Sequence, residues 1–385
     1  MNDVTTPRGA GAAQIPWAPL AGVIAMVAIF AVAQGLTYPL LSFILERQGA
    51  SAGLIGLSAA MTPLGLIAGS TLIPPLTRRF GAGPLALACA ILAGTSLALI
   101  GWTRDVVPWF PLRFAIGLAI GPLFVLSEVW LIALSPPQRR GRILGLYTAA
   151  VSAGFAAGPL SLMLVGTEGW PPFLIGIGAF VVCTLWLAAI LRRLPALGRD
   201  GGTASVRTVV RSAPTLLFAV FTTAAFEQGL LSLLPVYGLS YGIGERSLAA
   251  LLAVLIAGNI ALQVPFGLAA ERWTARSVSI ACALATLVGC LLLPLLIATP
   301  LVWPLCFLWG AVSFGVYTLA LIELGERFSG AMLIAANAAF ALVWGVGGIA
   351  GPPATGAAMD LVGVQGLPAV LGLLYLALVL ARLRR

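Results

Sequence analysis

Apolar residues in this chain come in long blocks, neither alternating nor confined to narrow stripes. Blocks of about 20 residues or more recur from end to end, each long enough to cross a hydrocarbon layer of about 30 Å as a helix. The pattern predicts twelve spans, at 17–43, 51–76, 83–102, 107–134, 142–166, 172–191, 214–239, 247–270, 275–298, 301–324, 331–358 and 364–381. Polar residues gather in short connections and in one longer stretch, "RRLPALGRDGGTASVRTVVRSA" at 192–213. That stretch reads as a cytoplasmic linker between an N-terminal six-helix bundle, 1–191, and a C-terminal one, 214–385. The expected fold class is an all-α polytopic membrane protein with 12 transmembrane helices in two pseudo-symmetric bundles. A membrane β-barrel would instead show short segments of alternating polarity.

The two bundles echo each other in sequence. "AQGL" at 33–36 aligns with "EQGL" at 227–230, an offset of 194. "RFGA" at 79–82 aligns with "RWTA" at 272–275, and "GP" at 158–159 with "GP" at 351–352, both at 193. So constant a spacing indicates parallel repeats.

Composition narrows the function. Of 385 residues, 60% are hydrophobic and 9% charged, too little charge for a soluble surface. The chain has no His, and its 21 basic residues are all Arg. A histidine proton switch, a histidine metal ligand and a lysine Schiff base are thereby excluded. The net charge of +9 is spread over connections between spans, which argues against a nucleic-acid surface. Seventeen arginines fall on the side that carries both termini, and three (Arg47, Arg104, Arg246) on the other. This asymmetry predicts cytoplasmic termini in an inner membrane. Cys89, Cys183, Cys282, Cys290 and Cys306 lie inside spans without metal-ligand spacing and read as small buried hydrophobes. The amino terminus lacks a compact signal-peptide layout. No nucleophile–base pair, metal cluster or phosphate loop is evident, so neither enzyme chemistry nor a cofactor is expected.

The segments "GLAAERWTAR" at 267–276, "PPLTRRFGAG" at 74–83, "RFAIG" at 113–117 and "GFAAGPL" at 154–160, set on twelve spans in two repeats, resemble motifs of the major facilitator superfamily over essentially the full chain. "GLAAERWTAR" at 267–276 is similar to that family's cytoplasmic loop signature: Gly267, Arg272 and Arg276 match, Glu271 stands for the acid, and Thr274 replaces a glycine. The first-half equivalent, "PPLTRRFGAG" at 74–83, keeps Arg79 and Gly81 but has Pro74 for glycine and Arg78 for the acid. "RFAIG" at 113–117 resembles the fourth-helix signature, and "GFAAGPL" at 154–160 the fifth-helix signature found mostly in proton-exchanging exporters. The resemblance implies alternating access by a single chain. Gly154, Gly158 and Pro159 would then form a hinge in the fifth span, although plain packing explains glycine pairs equally.

Four charges fall inside spans: Arg113, Glu128, Glu227 and Glu323. Such charges are expensive in lipid unless paired or hydrated. Glu128 and Glu323 lie near the cytoplasmic ends of the fourth and tenth spans and are near-equivalents at an offset of 195. The resemblance implies that they latch the cytoplasmic gate, Glu128 to Arg78, Arg79 or Arg142, and Glu323 to Arg272 or Arg276. Arg113 and Glu128 are separated by about 22 Å along one helix and cannot pair. Arg113 either snorkels outward or faces a central cavity.

Glu227 falls near the middle of the seventh span, opposite Ala33 in the repeat. A lone carboxyl at that depth is suited to proton uptake and release, to a cationic solute group, or to a plain inter-helix hydrogen bond. Gln34, Tyr38, Gln228 and Asn259 lie at compatible depths, with Trp130, Tyr147, Tyr317, Asn337 and Trp344 as weaker candidates. The expected function is proton-coupled export of a small solute. The alternatives are import of a small metabolite or organic anion held by Arg113, and a transporter-like sensor or scaffold that moves nothing.

Overall fold

A computed structural model describes residues 17–103, 105–136, 139–195 and 206–384. The described residues are helical almost throughout. The first half comprises α1 (Trp17–Arg47), α2 (Ala52–Phe80), α3 (Ala82–Trp102), α4 (Trp109–Leu134), α5 (Arg140–Val165) and α6 (Pro171–Ile190). A short helix, α7 (Val206–Ser212), leads into α8 (Pro214–Leu239), α9 (Glu245–Arg272) and α10 (Ala275–Leu296). The last three are α11 (Val302–Arg327), α12 (Gly330–Val362) and α13 (Gly366–Leu383). Twelve of these are long and apolar enough to span a membrane, and they coincide with the twelve predicted spans to within a few residues.

The 192–213 stretch is less irregular than its composition suggests. A 3₁₀ turn at Leu191–Arg193 opens it and α7 closes it. Val209 is fully buried there, because α7 packs onto α8 and α12. The rest of the predicted linker, 196–205, lies outside the described residues, as do Arg8, Arg104, Arg199 and Arg385 of the charge pattern.

Prolines inside α1, α2, α4, α5, α8, α9, α10 and α12 do not end these helices. Packed neighbours and local adjustments can satisfy the backbone groups a proline frees in an apolar medium. Large apolar side chains such as Leu164, Leu291, Leu295 and Leu373 point outward, as a lipid-facing surface requires.

Backbone packing sharpens the repeat to a single register. In α1 and α5, a Cβ at Gly154 would meet the Ala28 carbonyl, and one at Gly158 the Val32 carbonyl. In α8 and α12, Gly347 meets Phe221 and Gly351 meets Ala225, each 193 residues on. The α2–α4 crossing, Gly65 on Phe114 and Gly117 on Thr62, recurs in α9–α11 as Gly258 on Phe307 and Gly310 on Leu255. Small residues at these crossings let helix backbones touch. Each bundle is therefore built on the same two close crossings. Between bundles, α2 packs on α12, α5 on α9, and α1 on α8.

The 193 register corrects two expectations. Glu227 is the mate of Gln34, not of Ala33. Glu323 is the mate of Trp130, and Glu128 of Leu321. Two residues turn a helix by about 200°, so Glu128 and Glu323 occupy nearly opposite faces and are not equivalents.

Candidate functional site

Arg113 does not snorkel. Its side chain is 0% exposed and turns inward from α4 against α1 and α2. Its Nη1 donates to Ser58 Oγ at 3.2 Å, and its guanidinium lies 5.8 Å from the centre of the Tyr38 ring. Arg113 Nε and Nη2 are buried without a partner. Around them is a small chamber lined by Gln34, Thr37, Tyr38, Thr62, Ile116, Ile120 and Phe180, with room for about one water molecule. The close α2–α4 crossing, made possible by Gly65 and Gly117, holds Ser58 and Thr62 beside the guanidinium.

Glu227 is half-buried on α8, with Oε2 enclosed and unpartnered. It lies within electrostatic reach of Tyr38 on α1 and Tyr317 on α11. Tyr38 is thus shared: Arg113 acts on it from one bundle and Glu227 from the other. Gln34 Oε1 and Gln228 Oε1 are also enclosed and unpartnered. Buried polar atoms left without a protein partner are groups that water or a ligand can complete. The structure therefore brings Arg113, Tyr38, Gln34 and Glu227 into one neighbourhood. Asn259 is buried on α9, but its hydrogen bond is to Gln263 on the same helix.

At one end of the molecule, two polar clasps join the bundles. Arg47 Nη1 on α1 contacts Glu245 Oε1 on α9 at 2.7 Å, and Thr167, just beyond α5, donates to the same carboxylate. Arg47 also donates to the Thr167 carbonyl at 2.8 Å. The second clasp joins Asp360 Oδ2, near the end of α12, to the Gly53 amide at the start of α2, at 2.9 Å. An anionic side chain at a helix N-terminus meets free N–H groups there.

The opposite end differs from the expected latch. Glu323 pairs with Arg382 on α13 at 2.5 Å and with Arg327 at 2.6 Å, not with Arg272 or Arg276. Arg327 sits one helical turn from Glu323 on the same helix, and Arg382 is buried between α13 and α11. Arg276 Nη2 instead donates to the Arg382 carbonyl at 2.6 Å. Arg276 and Glu323 thus converge on a third residue. Glu271 and Arg272 are exposed. Glu128 is exposed and makes no ion pair among the described residues, so its expected bonds to Arg78, Arg79 and Arg142 are not formed in this conformation. Arg79 lies over the Phe80 ring at 5.2 Å, while Arg78 and Arg142 point outward.

Comparison with known proteins places this geometry. The family model described as Major Facilitator Superfamily matches residues 23–331. The chain belongs to the Major Facilitator Superfamily. It is 27% identical over 341 residues to YfkF, an uncharacterized MFS-type transporter of Bacillus subtilis (strain 168), covering 87% of each chain. It is 22% identical over 318 residues to the uncharacterized MFS-type transporter YcaD of Escherichia coli O139:H28 (strain E24377A / ETEC), covering 82% of each. Among solved structures, the nucleoside transporter NupG superposes with a TM-score of 0.79 at 12% identity, covering 95% of this chain and 98% of that one. A bacterial homolog of the human lysosomal transporter Spinster, in an inward-facing and unoccupied conformation, gives 0.75 at 15% identity, covering 97% and 96%. The chain is a multi-pass secondary transporter of a small-molecule substrate, not an enzyme.

Within this MFS fold, Gly154 and Gly158 serve the α1–α5 crossing, and Pro159 lies beside it in α5. Trp130 donates to the Pro195 carbonyl, Tyr147 bonds Ser127, and Tyr317 packs edge-on against Trp344. Asn337 is exposed and bonds its own helix. Sequence reasoning missed Ser58, Thr62, Thr167, Glu245, Asp360 and Arg382. The repeat held a signal for the clasps: at 193, Thr167 maps to Asp360 and Ala52 to Glu245. Phe180, Ser58 and Thr62 carried none, being ordinary span residues.

Proposed function

We propose that this MFS transporter is proton-coupled and exports its solute by alternating access, with Glu227 as the proton-binding group. The observation that carries this reading is the half-buried Glu227 carboxyl, with one enclosed and unpartnered oxygen, at the junction of both bundles. A carboxyl that changes charge there alters its electrostatic interaction with Tyr38 on the other bundle, and so biases which way the bundles tilt. Gln34, its repeat mate, cannot titrate, so one acid serves the pair.

In this reading the moving units are 1–191 and 214–385, joined by 192–213, and a single chain suffices. Both termini are cytoplasmic in the inner membrane, which puts the Arg47–Glu245 clasp outside. With that clasp shut and Glu128 unpaired, the conformation described here is closed outward. Glu128 finds its arginines in the opposite state, and Pro159 and its glycines form the pivot.

Arg113 supports a second reading, uptake of an organic anion, because two of its N–H groups lack partners. Reconstitution separates the two. Liposomes holding the purified chain, given an acidic lumen, are screened with labelled drugs, sugars, amino acids and organic acids. Export predicts inward accumulation that a protonophore abolishes, by the inside-out population, whose cytoplasmic face meets the bath. Accumulation only of anions, and only with an acidic exterior, would favour uptake instead.

A further inference from the structure

Arg113 presents an unsolved electrostatic problem. A guanidinium stays charged in proteins, and removing it from water without a counter-charge is severely unfavourable. The three ion pairs among the described residues involve Arg47, Arg327 and Arg382, not Arg113. Among the described residues that line its chamber none is acidic, and Glu227 reaches the shared Tyr38 from the other bundle. What surrounds the guanidinium are neutral polar groups, with Ser58 Oγ accepting from Arg113 Nη1 and the Thr62 hydroxyl and Gln34 amide lining the chamber, and Ile116 and Phe180 as dry walls. Tyr38 supplies a ring face and a further hydroxyl. At the repeat-related position the second bundle has Cys306, with Leu251 and Leu255 in place of Ser58 and Thr62. The polar lining therefore belongs to one bundle only and is not a by-product of the shared fold.

We propose that the Arg113 chamber is an anion subsite that receives one compact, singly negative group, either a free halide or the carboxylate of the transported solute. Size and charge both select it. The chamber holds about one water-sized object, which fits a halide or a single carboxylate oxygen. Arg113 Nε and Nη2 are the free fork that such a group engages. The proposal depends on the transport reading for the anion's route of entry, but not on proton coupling through Glu227.

The test uses the purified full chain in detergent, with unfolding followed by the fluorescence of its 10 Trp. Sodium gluconate, bulky and hydroxylated, is exchanged at constant ionic strength for sodium chloride or sodium acetate. Wild type should gain thermal stability saturably with at least one of them, and Arg113→Gln should lose that gain. A response to chloride identifies a free halide; a response to acetate alone identifies the carboxylate of a solute. If Arg113→Gln does not fold, Thr62→Val takes its place and should weaken apparent affinity about tenfold. The proposal is overturned if neither anion gives a saturable gain, or if the gain persists undiminished in the folded variant. Because no gradient is imposed, Glu227→Gln should keep the gain, so failure of proton coupling is read separately.

Discussion

Arg47 on α1 and Glu245 on α9 meet at 2.7 Å across the bundle interface, and the repeat converts this clasp into a second one. At an offset of 193, Thr167 becomes Asp360 and the α9 start becomes the α2 start. Two pseudo-symmetric clasps therefore shut one end of the molecule, each joining the end of α5 or α12 to the start of α9 or α2. The first is one-third exposed at Arg47 and one-quarter at Glu245, which limits it to about 1 kcal/mol.

Arg47→Ala should therefore raise the parted population about five-fold, not abolish closure. Spin labels on cysteines introduced at Ala50 and Ser247 report it as a longer distance component. Exchanging the charges, Arg47→Glu with Glu245→Arg, should restore the short distance. Asp360→Asn should act in the same direction and add to Arg47→Ala, because the clasps share no residue.

The helix crossings give a matched pair of tests. A Cβ at Gly65 would collide with the Phe114 carbonyl, and one at its mate Gly258 with the Phe307 carbonyl. Gly65→Val and Gly258→Val should each cost about 3 kcal/mol or more and remove most folded protein from size-exclusion profiles. Gly145→Ala, with no atom near the added carbon, should leave the profile unchanged.

Glu323 and Arg382 form a buried pair, and Glu323 has a second partner in Arg327. Removing Glu323 strands the buried Arg382, at about 3–5 kcal/mol, whereas removing Arg382 leaves Glu323 paired with Arg327. Glu323→Ala should lower the unfolding temperature sharply and Arg382→Ala less so, and Glu323→Leu with Arg382→Met should recover much of the larger loss. Arg272→Ala, at an exposed position, should change it little. An equal loss with Arg272→Ala would restore the latch expected from the loop motif.

Spans and repeats were legible because block length and spacing survive any rotation of a helix. Ion-pair partners were not, because they depend on which face each residue occupies. An offset of 195 makes Glu128 and Glu323 look alike, although the two-residue step from 193 turns one of them by about 200°. Arg113 and Glu227 could be singled out because a charge in an apolar run is conspicuous wherever it points. Ser58 and Thr62 could not, since small hydroxyl residues sit easily in any membrane helix. Arg382 was hidden for a different reason: at a span end it looks like one more orienting arginine. Loop chemistry misled less. Gly81 adopts φ +86° between α2 and α3, while its mate Thr274 is extended and caps α10 through Ser277 N at 3.1 Å. The same connection is thus made by two different turns, which explains why the motif tolerates threonine there.

If Glu227 carries the proton, removing its carboxyl uncouples proton movement from solute movement. This is tested most directly in proteoliposomes loaded with a pH-sensitive dye, using a solute found by the transport screen. Wild type should move protons when a solute gradient is imposed, while Glu227→Gln should still exchange solute by counterflow and move none. Proton movement at the wild-type rate in Glu227→Gln would rule this residue out as the proton carrier.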